Sequence, residues 1–145
     1  MRKIEEQMIS AINDLIGKAD YDGVYFKSGN TTVEQSHHGI AHTIGYQRII
    51  SVRLHGSEIA AIRPAEQTVW ISDCGWQTRT TASRLHAIMI VFTHLPYFLS
   101  QVKYQWYKTC QGKAREAWTG SDTLRLRVPG LATMATCERS YLTNC

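Results

Sequence analysis

No stretch of this 145-residue chain is apolar for long enough to cross a bilayer. The most apolar run, Ala87 to Phe92, falls well short of the ~20 residues a spanning helix needs. No apolar leader segment follows the charged opening of Arg2, Lys3, Glu5 and Glu6, so a soluble intracellular protein is expected. Cysteine is scarce and scattered: Cys74, Cys110, Cys137 and Cys145 form no CxxC pair. Free thiols are therefore expected, and zinc held by Cys74, Cys110 and a histidine lacks ligand spacing. GxSxG, HExxH, P-loop and GxGxxG motifs are all missing. Asp73 has no carboxylate near it in sequence to act with, and a Cys74–His dyad would have to be assembled by the fold. The expectation is a protein that is not an enzyme and uses neither a cofactor nor a metal. Strong charge of one sign is also lacking. Sixteen Lys+Arg against twelve Asp+Glu give a net charge of +4. That bias suits an anionic ligand but falls short of the basic stripe of a duplex binder.

What is present reads as one domain with mixed structure. Ile4, Met8, Ala11, Ile12, Leu15 and Ile16 recur at helical steps, which predicts an amphipathic helix over residues 2–18. Ser28-Gly29-Asn30 is a turn, and Thr31 to Gln35 begins a strand. His37 to His42 reads as a polar loop, where Gly39 argues against a helical zinc pair of His38 and His42. Tyr46 to Leu54 and Glu58 to Arg63 flank His55-Gly56-Ser57 and predict a β-hairpin. Val69 to Ser72 adds a strand with Trp70 in the core. A second helix runs to Phe92 or Thr93 and buries Leu85, Ile88, Met89 and Phe92. The alternation of Val102, Tyr104 and Trp106 predicts a strand over residues 101–108. Residues 114–118 read as a helical turn or two, and Leu124 to Val128 as an edge strand. The fold class is α+β: an antiparallel twisted sheet, the N-terminal helix, and a second helix after a Gly-Trp corner. Residues 1–110 form the domain, and residues 111–145 are a C-terminal extension, weakly structured or an edge element.

The corner carries the chemistry. Asp73-Cys74-Gly75-Trp76 leads through Gln77-Thr78-Arg79-Thr80-Thr81 into the second helix. A helix start leaves N–H groups unpaired and carries positive potential, so it can receive an anion. Trp76 can stack on a base or plug the core. Thr78, Thr80 and Thr81 offer hydroxyls, although Thr80 or Thr81 can equally be a plain N-cap. Arg79 and Arg84 can each donate two hydrogen bonds to one phosphate, or Arg84 can pair with a surface carboxylate. His86 lies about one turn into the helix and is a further ligand candidate. A third reading places the loop at a subunit interface. On the ligand reading, Arg84→Ala weakens binding and spares the fold.

The run Arg53-Leu54-His55-Gly56-Ser57-Glu58-Ile59-Ala60 and the run Gly75 to Leu85 are similar to a family of small proteins of tailed bacteriophages. Met1 to Glu5, Gly29 to Val33 and Gln105-Trp106-Tyr107 resemble the same family, so the likeness covers about residues 1–108. Among such proteins the chain looks like the Thoeris anti-defence sponges, which sequester cyclic nucleotide-like immune signals without cleaving them. This resemblance implies a phage counter-defence protein acting in the cytoplasm of the infected bacterial host. Its ligand would be a small nucleotide-like anion, such as a cyclic ADP-ribose isomer or a cyclic oligonucleotide, with no membrane role. A homo-oligomer is expected, because two symmetry-related loops can line one pocket. Two other classes stay open: a protein–protein inhibitor of a host defence nuclease or CRISPR complex, and a single-stranded nucleic-acid binder.

Overall fold

The computed structural model describes residues 1–40, 43–94 and 96–128. It opens with helix α1 (Lys3–Ile16), followed by strands β1 (Gly23–Ser28), β2 (Thr31–His38), β3 (Gln47–Leu54), β4 (Ser57–Arg63) and β5 (Thr68–Ser72). Helix α2 (Arg79–Phe92) comes next, then β6 (Phe98–Val102), β7 (Gln105–Thr109), β8 (Glu116–Ala117) and β9 (Ser121–Arg125). The expected α+β class is what the structure shows. A six-stranded antiparallel sheet runs in the order β1-β2-β3-β4-β5-β9, and a separate three-stranded sheet runs β6-β7-β8.

The ladder explains the core. Register aligns Val33 with Val52, Val52 with Ala60 and Ala60 with Ile71 across four strands. One step along, Gln35, Ile50, Ile62, Val69 and Leu124 line up in the same way. Because side chains alternate between faces, these two rows share one side of the sheet. Met8, Ile12 and Leu15 of α1 and Leu85, Ile88, Met89 and Phe92 of α2 are fully buried with them. Arg48 of β3 donates to the Leu15 carbonyl at 3.1 Å and to Gln35 Oε1 at 3.2 Å, closing the end of α1. That helix has no basic residue of its own in its last turn.

Several expectations change. Residues 23–28 form an edge strand that no sequence pattern announced. β2 extends through His38 into the stretch read as a loop, and His42 lies outside the described residues. Trp70 is only half-buried. It registers with Ala61 and Thr123, on the face away from the helices. The strand expected over residues 101–108 is two strands of a hairpin. Its turn, Lys103-Tyr104, has φ of 50° and 69°, so the alternation continued straight through a reversal. Residues 116–117 are a short strand, where helical turns were expected. β9 begins at Ser121 and lies at the edge of the large sheet, on β5, so the segment after residue 111 contributes a strand to each sheet. Cys110 is disulfide-bonded, contrary to the expectation of free thiols, whereas Cys74 is free. Among the described residues no helix is long and apolar enough to cross a membrane.

Candidate functional site

The Gly-Trp corner is a tight reversal. The Trp76 N–H donates to the Asp73 carbonyl at 2.8 Å, and the two central residues have φ of 53° at Cys74 and 80° at Gly75. Left-handed values at both positions are what a type I′ turn requires, and glycine takes them without steric cost. The buried Asp73 side chain holds the turn from inside. One carboxyl oxygen accepts from the Gly75 N–H at 2.8 Å. The other accepts from Gln77 Nε2 at 3.0 Å and from the Trp118 indole N–H at 2.8 Å. Trp76, which a core plug would bury, is 61% exposed at the tip.

Helix α2 starts immediately afterwards, capped by Thr78 where Thr80 or Thr81 was expected. Thr78 has extended backbone angles, and its hydroxyl accepts from the Thr81 N–H at 3.2 Å. The extended residue just before the helix is the one whose side chain can reach back to these donors. The Thr81 hydroxyl is buried against Thr78 Oγ1, 3.1 Å away. The first turn carries no acidic residue. Arg79 is exposed and Thr80 half-buried. Neither their N–H groups nor the Arg79 guanidinium has a partner among the described residues.

Arg84 is placed elsewhere. It is 5% exposed, and its Nη1 lies 2.6 Å from Glu5 Oε2. Its Nε donates to Thr31 Oγ1 at 3.2 Å. Glu5 also accepts from the Ser83 hydroxyl at 2.5 Å and from the Arg2 N–H at 3.1 Å. Burial alone would raise the Glu5 carboxyl. The Ser83 and Arg2 hydrogen bonds, with the one from Arg84 and its charge, outweigh it and hold Glu5 below its ordinary 4.5. The anion expected to meet Arg84 is thus a carboxylate of this chain. Sequence reasoning missed Glu5, although its place three residues after the helix boundary and three before Met8 puts it on the inward face.

His86 is also occupied. Its Nε2 accepts from the Leu99 N–H at 2.9 Å, and its ring meets Phe98 edge to face. This ties the free edge of β6 to α2. Burial lowers its pKa from the ordinary 6.5, and nearby Glu5 offsets part of the effect. His37 goes the other way. Hydrogen bonds to the Ala19 carbonyl and Asp22 raise it. The signs give a test. The His86 contribution to stability is present above about 6.5 and is lost as pH falls through its folded value. The His37 contribution is present below about 6.5 and is lost as pH rises through its folded value. An NMR titration should show His86 titrating below 6.5 and His37 above it. The reverse order would contradict both hydrogen-bond assignments.

Of the seven residues singled out, the fold therefore groups Trp76, Thr78, Arg79 and Thr80 around one open helix end. It turns Thr81, Arg84 and His86 to internal partners. Two clefts lined by described residues lie away from the corner. One of about 260 Å³ lies between α1 and β1 beside Asp14 and Tyr25, and one of about 400 Å³ lies beside Glu66 and Arg125. Searches of curated proteins and of solved structures find no match. The segments with phage-like character nevertheless all fall within one continuous match. Residues 1–125, which include both helices, both sheets and the corner, match the Kyanoviridae Gp96 protein family, and the chain belongs to that family of tailed-phage proteins.

Proposed function

We propose that this phage protein is a non-catalytic binder that captures a small nucleotide-type anion at the corner between β5 and α2, and that it counters host defence by sequestering such a signal. The observation that supports this most is the open start of α2: free N–H groups, no first-turn carboxylate, and Arg79 and Trp76 exposed on either side of Thr78. The helix dipole and Arg79 attract a phosphate. Trp76 offers an indole face for a base, and Thr80 a hydroxyl. A second copy of the chain would close the site by bringing two corners together. The action takes place in the host cytoplasm, on a cyclic ADP-ribose isomer or a cyclic oligonucleotide.

The test is a thermal-shift panel of cyclic nucleotides and cyclic ADP-ribose isomers, followed by calorimetry. A ligand present at about a hundred times its Kd adds roughly 2.7 kcal/mol of stability, and chromatography after denaturation should recover it unchanged. Trp76→Ala should weaken affinity about five- to hundredfold, the range for loss of one base stack. A flat panel, or unchanged affinity in Trp76→Ala, rules the corner out. Light scattering with and without ligand reports the assembly.

A further inference from the structure

We infer that the outer face of the β6-β7-β8 sheet binds single-stranded nucleic acid, a surface independent of the corner reading. Register sets the two faces. Phe98 pairs with Thr109, Ser100 with Tyr107 and Val102 with Gln105, so these six share one side. Leu99 and Trp106 belong to the other side and are buried. Phe98 is 63% exposed. Phe98 and Tyr107 are diagonal neighbours on adjacent strands, about 7 Å apart by sheet geometry. Between and beside them lie the short polar side chains of Ser100 and Thr109.

Among the described residues the charges on this side are positive. The Arg115 guanidinium lies over the Tyr107 ring, 4.5 Å from its centre, and makes no ion pair among the described residues. Glu116, the acid of β8, registers with Lys108 on the opposite face, and Lys108 reaches Asp122 at 3.7 Å there. At the hairpin tip, Lys103 and Tyr104 hold left-handed φ without glycine or asparagine, and Tyr104 is 91% exposed. Bulky residues in that conformation cost stability that Asn-Gly would spare. The turn therefore presents a ring and an ammonium group at some expense.

An exposed ring on the sheet face, a second at the hairpin tip, a guanidinium plane and the Lys103 ammonium, with no acid beside them among the described residues, fit a polyanion whose bases can stack. Bases stack on aromatic rings and on arginine planes alike. An acidic protein surface would satisfy the cations but leave Phe98 without a matching face. Tyr107 acts here as a positioning residue for Arg115.

The experiment is fluorescence anisotropy of the full chain with a labelled oligothymidylate of about 12 nucleotides, within the site sizes of single-strand binders. Phe98→Ala should weaken binding about five- to hundredfold. Tyr107→Phe, which keeps the ring beneath Arg115, should bind as the parent, and Tyr107→Leu should not. Arg115→Ala should reduce the slope of log K against log salt by about 0.7, one phosphate contact for a single strand. Trp76→Ala should leave oligonucleotide affinity unchanged. Circular dichroism verifies folding of each variant. Absence of oligonucleotide binding at low salt overturns the proposal, as does binding that Trp76→Ala abolishes and Phe98→Ala spares. Oligonucleotide-blind protein that instead binds a host polypeptide through Phe98 also overturns it.

Discussion

Arg84→Ala should cost about 3–5 kcal/mol of folding stability, the penalty for breaking a buried ion pair from one side, and should lower the melting temperature by about 10 °C or more. The cause lies on Glu5. With Arg84 gone, a carboxylate that is 2% exposed keeps only the Ser83 hydroxyl and the Arg2 N–H. Thr31 Oγ1, at the start of β2, loses the Arg84 Nε donor. One guanidinium thus joins α2 to the first turn of α1 and to the sheet. Glu5→Leu with Arg84→Leu should recover much of the loss, because the uncompensated charge disappears with its partner. The pH dependence has a definite sign. Glu5 is held below 4.5, so its contribution is present above that value and is lost as pH falls through the folded value. Urea denaturation of the three proteins at neutral and acidic pH measures all of this. An Arg84→Ala protein with parental stability would contradict the pairing. The expectation that this substitution spares the fold is corrected by the same geometry, which makes ligand affinity in that variant uninformative.

Much of the architecture was legible because it depends on local periodicity. The steps between Met8, Ile12 and Leu15, and between Leu85, Ile88 and Phe92, are those of a buried helical stripe, and both helices form where those steps occur. His55-Gly56 marked a hairpin because glycine at positive φ is the usual signature of such a turn. The β6–β7 reversal carries no such signature, so Lys103-Tyr104 read as more strand. β1 was invisible for a related reason: a register shift between Val24 and Phe26 breaks its alternation. Arg84 could have been read better. It lies three residues after Thr81 and four before Ile88, on the stripe that faces inward. Its partner could not have been named, because Glu5 lies 79 residues away in sequence. The Gly75-Trp76 turn and the helix start after it were readable because a turn followed by a helix is a local event, whereas the sequence left open whether Trp76 is buried or exposed.

Asp73→Ala should destabilise the fold by about 2–4 kcal/mol and loosen the corner at the same time. Three donors converge on this side chain. The exposed Gly75 and Gln77 groups can turn to water. The Trp118 indole N–H cannot, since Trp118 is 5% exposed, and an unsatisfied buried donor costs about 1–3 kcal/mol. The rest of the loss comes from the turn and from the cavity left beneath it. Trp118 also donates its backbone N–H to the Trp106 carbonyl at 2.9 Å, and the Asp73 N–H donates to the Gly120 carbonyl at 3.0 Å. Asp73 therefore joins the corner to the inner side of the small sheet. Asp73→Asn is the sharper variant. It keeps the volume but offers one acceptor oxygen to three donors, so it should still lose a large part of the stability and alter the near-ultraviolet signal of Trp118. Trp118→Phe removes one donor without leaving another stranded in the core, and its cost should be smaller, about 1–2 kcal/mol. If the corner is the ligand site, Asp73→Asn should also weaken binding under conditions where the protein is fully folded, because Trp76 and Arg79 lose the turn that sets their spacing. Parental stability in Asp73→Asn would show that the three hydrogen bonds do not hold the corner. Lost stability with unchanged ligand affinity would separate the scaffold from the site.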